Sequence, residues 1–281
     1  MTTITFIGPG VMAEAMIAGI LREKLASAED IRVSGPRLRR GEFMNQAYGV
    51  AGFSDNQAAA DGADIVVLSI KPQSLGDVLN DLAGTLKEEA LVLSIIAGAP
   101  IKKLIKGLRH ASVVRSMPNT PARIGMGISV WTASPAVTDP QRDFARRILA
   151  ALGIEIFMED EKYLDMATAL SGTGPAYVFM FMEAMVDAGV HLGFPRRIAE
   201  SLVVETVRGS VDYYLAAAEA GQIHLAGLRN DVTSPGGTTA AALYFLEKSG
   251  FRTALSRAIW AAYERSQELG KDPKAHAPEE M

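Results

Sequence analysis

Hydrophobic positions in the first half of the chain fall into short, nearly continuous runs separated by helical patterns, with candidate strands at 3–7, 31–34, 65–70, 91–96, 112–116 and 127–132. Strand and helix alternating on this scale predict a parallel, doubly wound sheet. The run Ile65-Val66-Val67-Leu68-Ser69-Ile70 is apolar at nearly every position rather than at every second one, which suits a central strand covered on both faces. A last strand is expected over 153–158, after which the β signal stops. Long helical patterns punctuated by Gly and Pro then run over 161–270. The pattern predicts a doubly wound α/β domain over 1–159, an all-helical domain over 160–281, and a loose tail over 271–281.

Within the helical half, 175–192 starts with Pro at a favoured first helical position and carries the apolar body Tyr177-Val178-Phe179-Met180-Phe181-Met182. A helix apolar nearly all round is normally buried. In a small helical domain this predicts either a dimer interface or the domain's own central helix.

The chain has 281 residues, 28 Lys+Arg against 32 Asp+Glu, 48% hydrophobic and 21% charged positions, and no cysteine. This is an ordinary globular composition, and the net charge of −4 speaks against binding nucleic acid through bulk charge. The lack of cysteine removes disulfides, thiolate nucleophiles, iron–sulfur clusters and cysteine zinc sites. His110, His191, His224 and His276 are scattered, with no pair at helical ligand spacing, so no metal site is expected. No apolar run approaches the ~20 residues needed to span a bilayer, and the first residues lack a signal-peptide pattern, so a soluble, cytoplasmic protein is expected.

Gly8-Pro9-Gly10-Val11-Met12-Ala13 directly follows the first strand and opens a helical pattern over 12–25, the context in which a G-x-G-x-x-G/A fingerprint has physical meaning. Gly8 permits the tight turn, Gly10 lets a pyrophosphate approach the backbone, and Ala13 allows close helix–strand packing, with Val11 and Met12 at the helix N-terminus facing the anion. The second strand ends at Ser34, followed by Gly35-Pro36-Arg37-Leu38-Arg39-Arg40, with no acid placed to grip a ribose 2′-hydroxyl. A hydroxyl and a guanidinium welcome a 2′-phosphate, so Ser34 and Arg37 favour NADP over NAD. Asn56 joins the cofactor-binding candidates. Lys71-Pro72 lies at the carboxyl edge of the sheet, and Asn119 lies there too, stiffened between Pro118 and Pro121.

Two Gly/Pro clusters in the helical half, Ser171-Gly172-Thr173-Gly174-Pro175-Ala176-Tyr177 and Val232-Thr233-Ser234-Pro235-Gly236-Gly237-Thr238-Thr239, set hydroxyls and amides ahead of a helix. Both could be caps. The second is richer than a cap needs and suits a carboxylate.

The fingerprint, the Lys71-Pro72 pair and the stretches 115–121, 171–177 and above all 232–239 resemble the pyrroline-5-carboxylate reductases over nearly the whole chain. Val11 and Thr173 depart from that family's usual residues. The resemblance implies a Rossmann-type domain joined to a helical dimerisation domain that interlocks with a second subunit, in homodimers that often assemble into decamers. It further implies NAD(P)H-dependent reduction of 1-pyrroline-5-carboxylate to proline, the last step of proline biosynthesis. Thr239 would then bond the ring nitrogen, while Ser234, Gly237 and Thr238 hold the carboxylate, in a site completed by a neighbouring subunit. A cyclic imine can be protonated by solvent, so orientation and electrostatics suffice for its reduction. Three alternatives stand beside this reading. One is a reductase of another cyclic imino acid; a second is a non-catalytic NADP sensor. The third, a β-hydroxyacid dehydrogenase, needs a lysine acid/base that the helix after Gly174 does not supply.

Overall fold

The protein is described by a computed structural model covering residues 2–221 and 224–271. His276 and the expected tail beyond Lys271 lie outside the described residues. The strands are β1 (Ile4–Ile7), β2 (Ile31–Ser34), β3 (Ala51–Phe53), β4 (Ile65–Leu68), β5 (Leu91–Ser94), β6 (Val113–Met117), β7 (Gly127–Ala133) and β8 (Gly153–Phe157). Among them run α1 (Val11–Arg22), α2 (Leu38–Tyr48), α3 (Asn56–Ala60), α4 (Leu75–Leu82), α5 (Ile101–Leu108) and α6 (Asp139–Ala150). After the sheet come α7 (Lys162–Ala167), α8 (Gly174–His191), α9 (Arg196–Glu219), α10 (Leu225–Asp231), α11 (Thr238–Lys248) and α12 (Phe251–Gly270).

The strand order is β3-β2-β1-β4-β5-β6-β7-β8, and its first six strands run parallel in the doubly wound order with the switch point between β1 and β4. Every residue of β1, β4 and β5 is buried, as expected of strands covered on both faces. The all-parallel expectation is corrected at one place, since β7 pairs antiparallel with β6 through Val114↔Ala133 to Met117↔Val130. The short link across 118–126 returns the chain directly, without the crossover helix a parallel pair requires. Two apolar layers sandwich the sheet, one including Met16, Ile20 and Trp131, the other Leu79, Leu82 and Leu104.

Helix α6 shows how local sequence starts an element. Thr138 accepts from the Gln141 backbone N–H, and the Gln141 side chain accepts from the Thr138 N–H, a reciprocal capping box with Pro140 in the first turn. Thr138→Ala is expected to cost about 1 kcal/mol and to lower the calorimetric unfolding midpoint by roughly 3 °C. An unshifted midpoint would show that water replaces the cap.

By compactness the chain divides into residues up to Pro175 together with those from Ala261 on, and a second unit, Ala176–Trp260. This differs from the expected boundary at 160, because α7 and the end of α12 are bonded into the sheet unit. Arg115 on β6 pairs with Glu161 and Asp165 at 2.9 and 2.7 Å, Asp165 also accepts from the Ser266 hydroxyl, and Glu161 accepts from the Ile101 N–H at the start of α5. Gly98 and Gly270 make the close approach of α12 to the β5–α5 loop feasible: a Cβ on Gly270 would lie 2.6 Å from the Gly98 carbonyl oxygen.

The second unit has a small interior, Val186, Ala199 and Val203 with Met182, Met185, Val190 and Val207 around them. Of α8, Val186 alone is buried, while Phe179 and Met180 are 63% and 73% exposed. A central-core role for this helix therefore fails within the single chain. Exposed side chains of this apolar character are of the kind that protein partners cover. No helix among the described residues is long and apolar enough to cross a membrane.

Candidate active site

At the carboxyl edge of the sheet, Ile7, Ser34 and Leu68 stand level in the register of β1, β2 and β4, so the loops that follow share one crevice. Gly8 has φ +98°, and a Cβ there would lie 2.7 Å from Ile70 Cγ2 and 2.9 Å from the Ser69 carbonyl oxygen, so both conformation and space require glycine. Gly10 is exposed and its missing Cβ meets nothing nearer than 3.9 Å, leaving the backbone open to an approaching group. Ala13 is fully buried against the core. Gly10 caps α1 with no side-chain hydrogen bond, so the first-turn amides around Val11, Met12 and Ala13 keep their donors. That is the cradle a dinucleotide pyrophosphate requires. Val11 is 52% exposed beside it.

Side chains that the sequence does not single out brace this loop. The Ser69 hydroxyl donates to the Gly8 carbonyl at 2.8 Å. Arg40 Nε donates to the Pro9 carbonyl at 2.7 Å, and its Nη2 pairs with Glu14. Burial, then the neighbouring Glu14 carboxylate, raises the Tyr48 phenol above its ordinary range, and its hydroxyl donates to Glu14. Arg40 is thus spent on the loop. The guanidinium groups of Arg37 and Arg39 are exposed and have no hydrogen-bond or ion-pair partner among the described residues.

Ser34 is wholly buried and donates to Asn56 Oδ1 at 2.7 Å, while Asn56 Nδ2 donates to Asp81 at 3.0 Å. Lys71 is exposed at the start of the turn Pro72–Ser74, its ammonium without a partner among the described residues. Asn119 is nearly buried, and both ends of its amide are spent inside the protein: Nδ2 donates to the Ser171 carbonyl and Oδ1 accepts from the Ile128 N–H. Its side chain is a brace for the 118–126 link.

The 171–174 cluster is not a simple cap. Ser171 and Gly172 close one turn of π-helix, Thr168–Gly172, and the Ser171 hydroxyl within it and the Thr173 hydroxyl just after it donate to the Ala167 and Thr168 carbonyls at 3.0 and 2.8 Å. Such turns are rare and often sit at functional sites. In the helical unit, the 234–239 loop starts α11 with Gly237 as a cap lacking any side-chain hydrogen bond, after Gly236 at φ +71°. The hydroxyls of Ser234, Thr238 and Thr239 have no partner among the described residues. Three hydroxyls and the open amides of an eleven-residue helix make a donor-rich end of the kind that suits an anion. His110 is buried against the Ala90 carbonyl, His224 caps α10, and His191 is exposed.

A doubly wound sheet with this fingerprint loop, followed by a helical region, defines a dinucleotide-dependent oxidoreductase. Residues 161–269 match the family described as pyrroline-5-carboxylate reductase dimerisation, and residues 3–98 match the family described as NADP oxidoreductase coenzyme F420-dependent. The chain is 42% identical to a pyrroline-5-carboxylate reductase from Synechocystis over 94% of its length and 97% of that protein's. It is 40% identical to one from Pseudomonas aeruginosa, covering 95% and 97%. Among solved structures, a Plasmodium falciparum pyrroline carboxylate reductase with NADP bound superposes with a TM-score of 0.86 at 32% identity, covering 96% of this chain and 98% of that one. The chain belongs to the pyrroline-5-carboxylate reductase family. It carries that family's dimerisation region, within which α8 and its neighbours leave large apolar side chains exposed.

Proposed function

We propose that this protein reduces 1-pyrroline-5-carboxylate to L-proline with NADPH, with NADH as the weaker donor, as a cytoplasmic enzyme of proline biosynthesis. The observation that carries the reading is the 234–239 loop, whose free hydroxyls and uncapped helix end form a carboxylate receptor that a purely structural turn does not need. Bound dinucleotide supplies the hydride that reaches C5 of the imine.

The chain's own groups do the rest. The amides of Val11, Met12 and Ala13, with Gly8 and Gly10 leaving room, hold the pyrophosphate. Ser34, Arg37 and Asn56 face the adenosine ribose, and Lys71, Pro72 and the Asn119 backbone line the edge toward the nicotinamide. Ser234, Gly237 and Thr238 fix the substrate carboxylate. The Thr239 hydroxyl oxygen accepts from the protonated ring nitrogen, holding the C=N bond in one orientation and keeping a polar partner beside the amine as it forms. No strongly acidic side chain is required, because the imine takes its proton from water before hydride transfer.

Loss of NADPH absorbance on adding pyrroline-5-carboxylate is the direct test, run beside NADH and a six-membered cyclic imino acid. Absence of oxidation with the five-membered substrate overturns the reading, and faster turnover of the larger ring reassigns the substrate. The functional unit is proposed to be a homodimer or a decamer built from dimers, and sedimentation showing monomer alone at micromolar concentration opposes it.

A further inference from the structure

The proposed ribose site contains a carboxylate that neither the fingerprint nor the basic run explains. Asp81, at the end of α4, is exposed, yet its Oδ2 accepts from Asn56 Nδ2 at 3.0 Å. Asn56 accepts through Oδ1 from the Ser34 hydroxyl at 2.7 Å. The three side chains therefore form a directed relay, hydroxyl to carbonyl and amide to carboxylate, running from the end of β2 outward.

The direction of that relay has a chemical consequence. With the proton of the wholly buried Ser34 given to its carbonyl and one N–H held by Asp81, the partly exposed Asn56 keeps a carbonyl lone pair and one donor fewer to offer a ligand. A ribose 2′-hydroxyl can give a proton to such a group. A 2′-phosphate is acceptor-only and needs the donors that the relay consumes. Reversing the amide would free the Ser34 proton, but it would set the Asn56 carbonyl against the Asp81 carboxylate, so Asp81 locks the polarity. Its charge also opposes a 2′-phosphate, which Arg37 and Arg39, without partners among the described residues, would attract. Asp81 is not needed to tie α3 to α4, because Gln57 Nε2 already donates to the Asp81 backbone carbonyl at 2.6 Å, a bond that any side-chain substitution leaves in place.

We propose that Asp81 is a selectivity-determining positioning residue, which orients the Asn56–Ser34 pair toward an unphosphorylated ribose and so holds the NADPH preference below what Arg37 and Arg39 alone would confer. This rests on the reading that the adenosine ribose lies at the end of β2, and the experiment separates the two. Dissociation constants of NADPH and NADH are measured by titrating reduced-nicotinamide fluorescence on the full chain, for the parent protein, Asp81→Asn, Asp81→Ala and Arg37→Ala. The ratio of the NADH constant to the NADPH constant is expected to rise about fivefold in Asp81→Asn, the rise shrinking as salt is added, and to fall in Arg37→Ala. A fall in Arg37→Ala with the Asp81→Asn ratio unchanged or lowered overturns the role of Asp81 and leaves the ribose site standing. No movement of the ratio in any variant overturns both. Asp81→Asn keeps the side-chain volume, so the test survives if Asp81→Ala fails to fold, and a merely structural role would weaken both cofactors together without moving the ratio.

Discussion

Thr239→Ala is expected to lower kcat by about 100-fold, the loss typical of removing one hydrogen-bonding group that holds the reacting centre. The NADPH dissociation constant should stay within about twofold, because no cofactor group is assigned to α11. Thr239 is the second residue of that helix, half-buried, with a hydroxyl that bonds nothing among the described residues, so no structural partner is stranded by its removal. Thr239→Ser, which keeps the hydroxyl, should restore most of the rate. Steady-state oxidation of NADPH at saturating pyrroline-5-carboxylate reads the effect. A Thr239→Ala enzyme turning over at the parent rate would remove this hydroxyl from the mechanism, and an equal loss in the serine variant would point to packing rather than hydrogen bonding.

The largest expected effect on stability lies at Arg115. Its side chain is 4% exposed and bonds two carboxylates, Glu161 at 32% and Asp165 at 19% exposure. Arg115→Met keeps the volume but leaves both carboxylates with one partner fewer, a cost of about 3 kcal/mol, at the low end for broken buried pairs because water reaches both acids. The unfolding midpoint should fall by roughly 6 to 10 °C. Adding Glu161→Gln and Asp165→Asn to Arg115→Met should recover part of that loss, since the penalty belongs to unpaired charge rather than to a missing contact. If calorimetry finds the single and triple variants equally stable, the cost is one of packing.

The legible part of the fold was the part that burial writes into composition. The strands β1, β4 and β5 are nearly continuous apolar runs because helices cover both faces. Strand β3 escaped notice: Ala51-Gly52-Phe53 is three residues long, sits at the sheet edge, and has no apolar run to betray it. The antiparallel turn of β7 escaped too, since a strand's residues carry its periodicity but not its direction. The π-turn at Thr168–Gly172 resembled a glycine-rich cap because its hydroxyls serve backbone carbonyls one turn earlier, a pairing visible only in coordinates.

The same division runs through the candidate site. The glycine fingerprint and the 234–239 loop were legible because each packs its donors into a few consecutive residues. The supporting groups were not. Glu14 with Arg40, Asn56 with Asp81, and Arg115 with Asp165 are 26, 25 and 50 residues apart in sequence, and only the topology brings them together. Asn119 shows how little residue type says about direction: its amide donates to the Ser171 carbonyl and accepts from the Ile128 N–H, holding its loop in place.

Because the sheet unit takes up the chain again at Ala261, the helical unit is an insertion within it rather than an appendage at its end. During synthesis from the N-terminus, the partner that Asp165 finds in Ser266 emerges from the ribosome a hundred residues after it. Until then the nascent sheet unit lacks the tail of α12 while the sticky face of α8 is already made. A chain interrupted after Trp260 would therefore lose more than a terminal helix: it would leave the older half of the molecule unfinished.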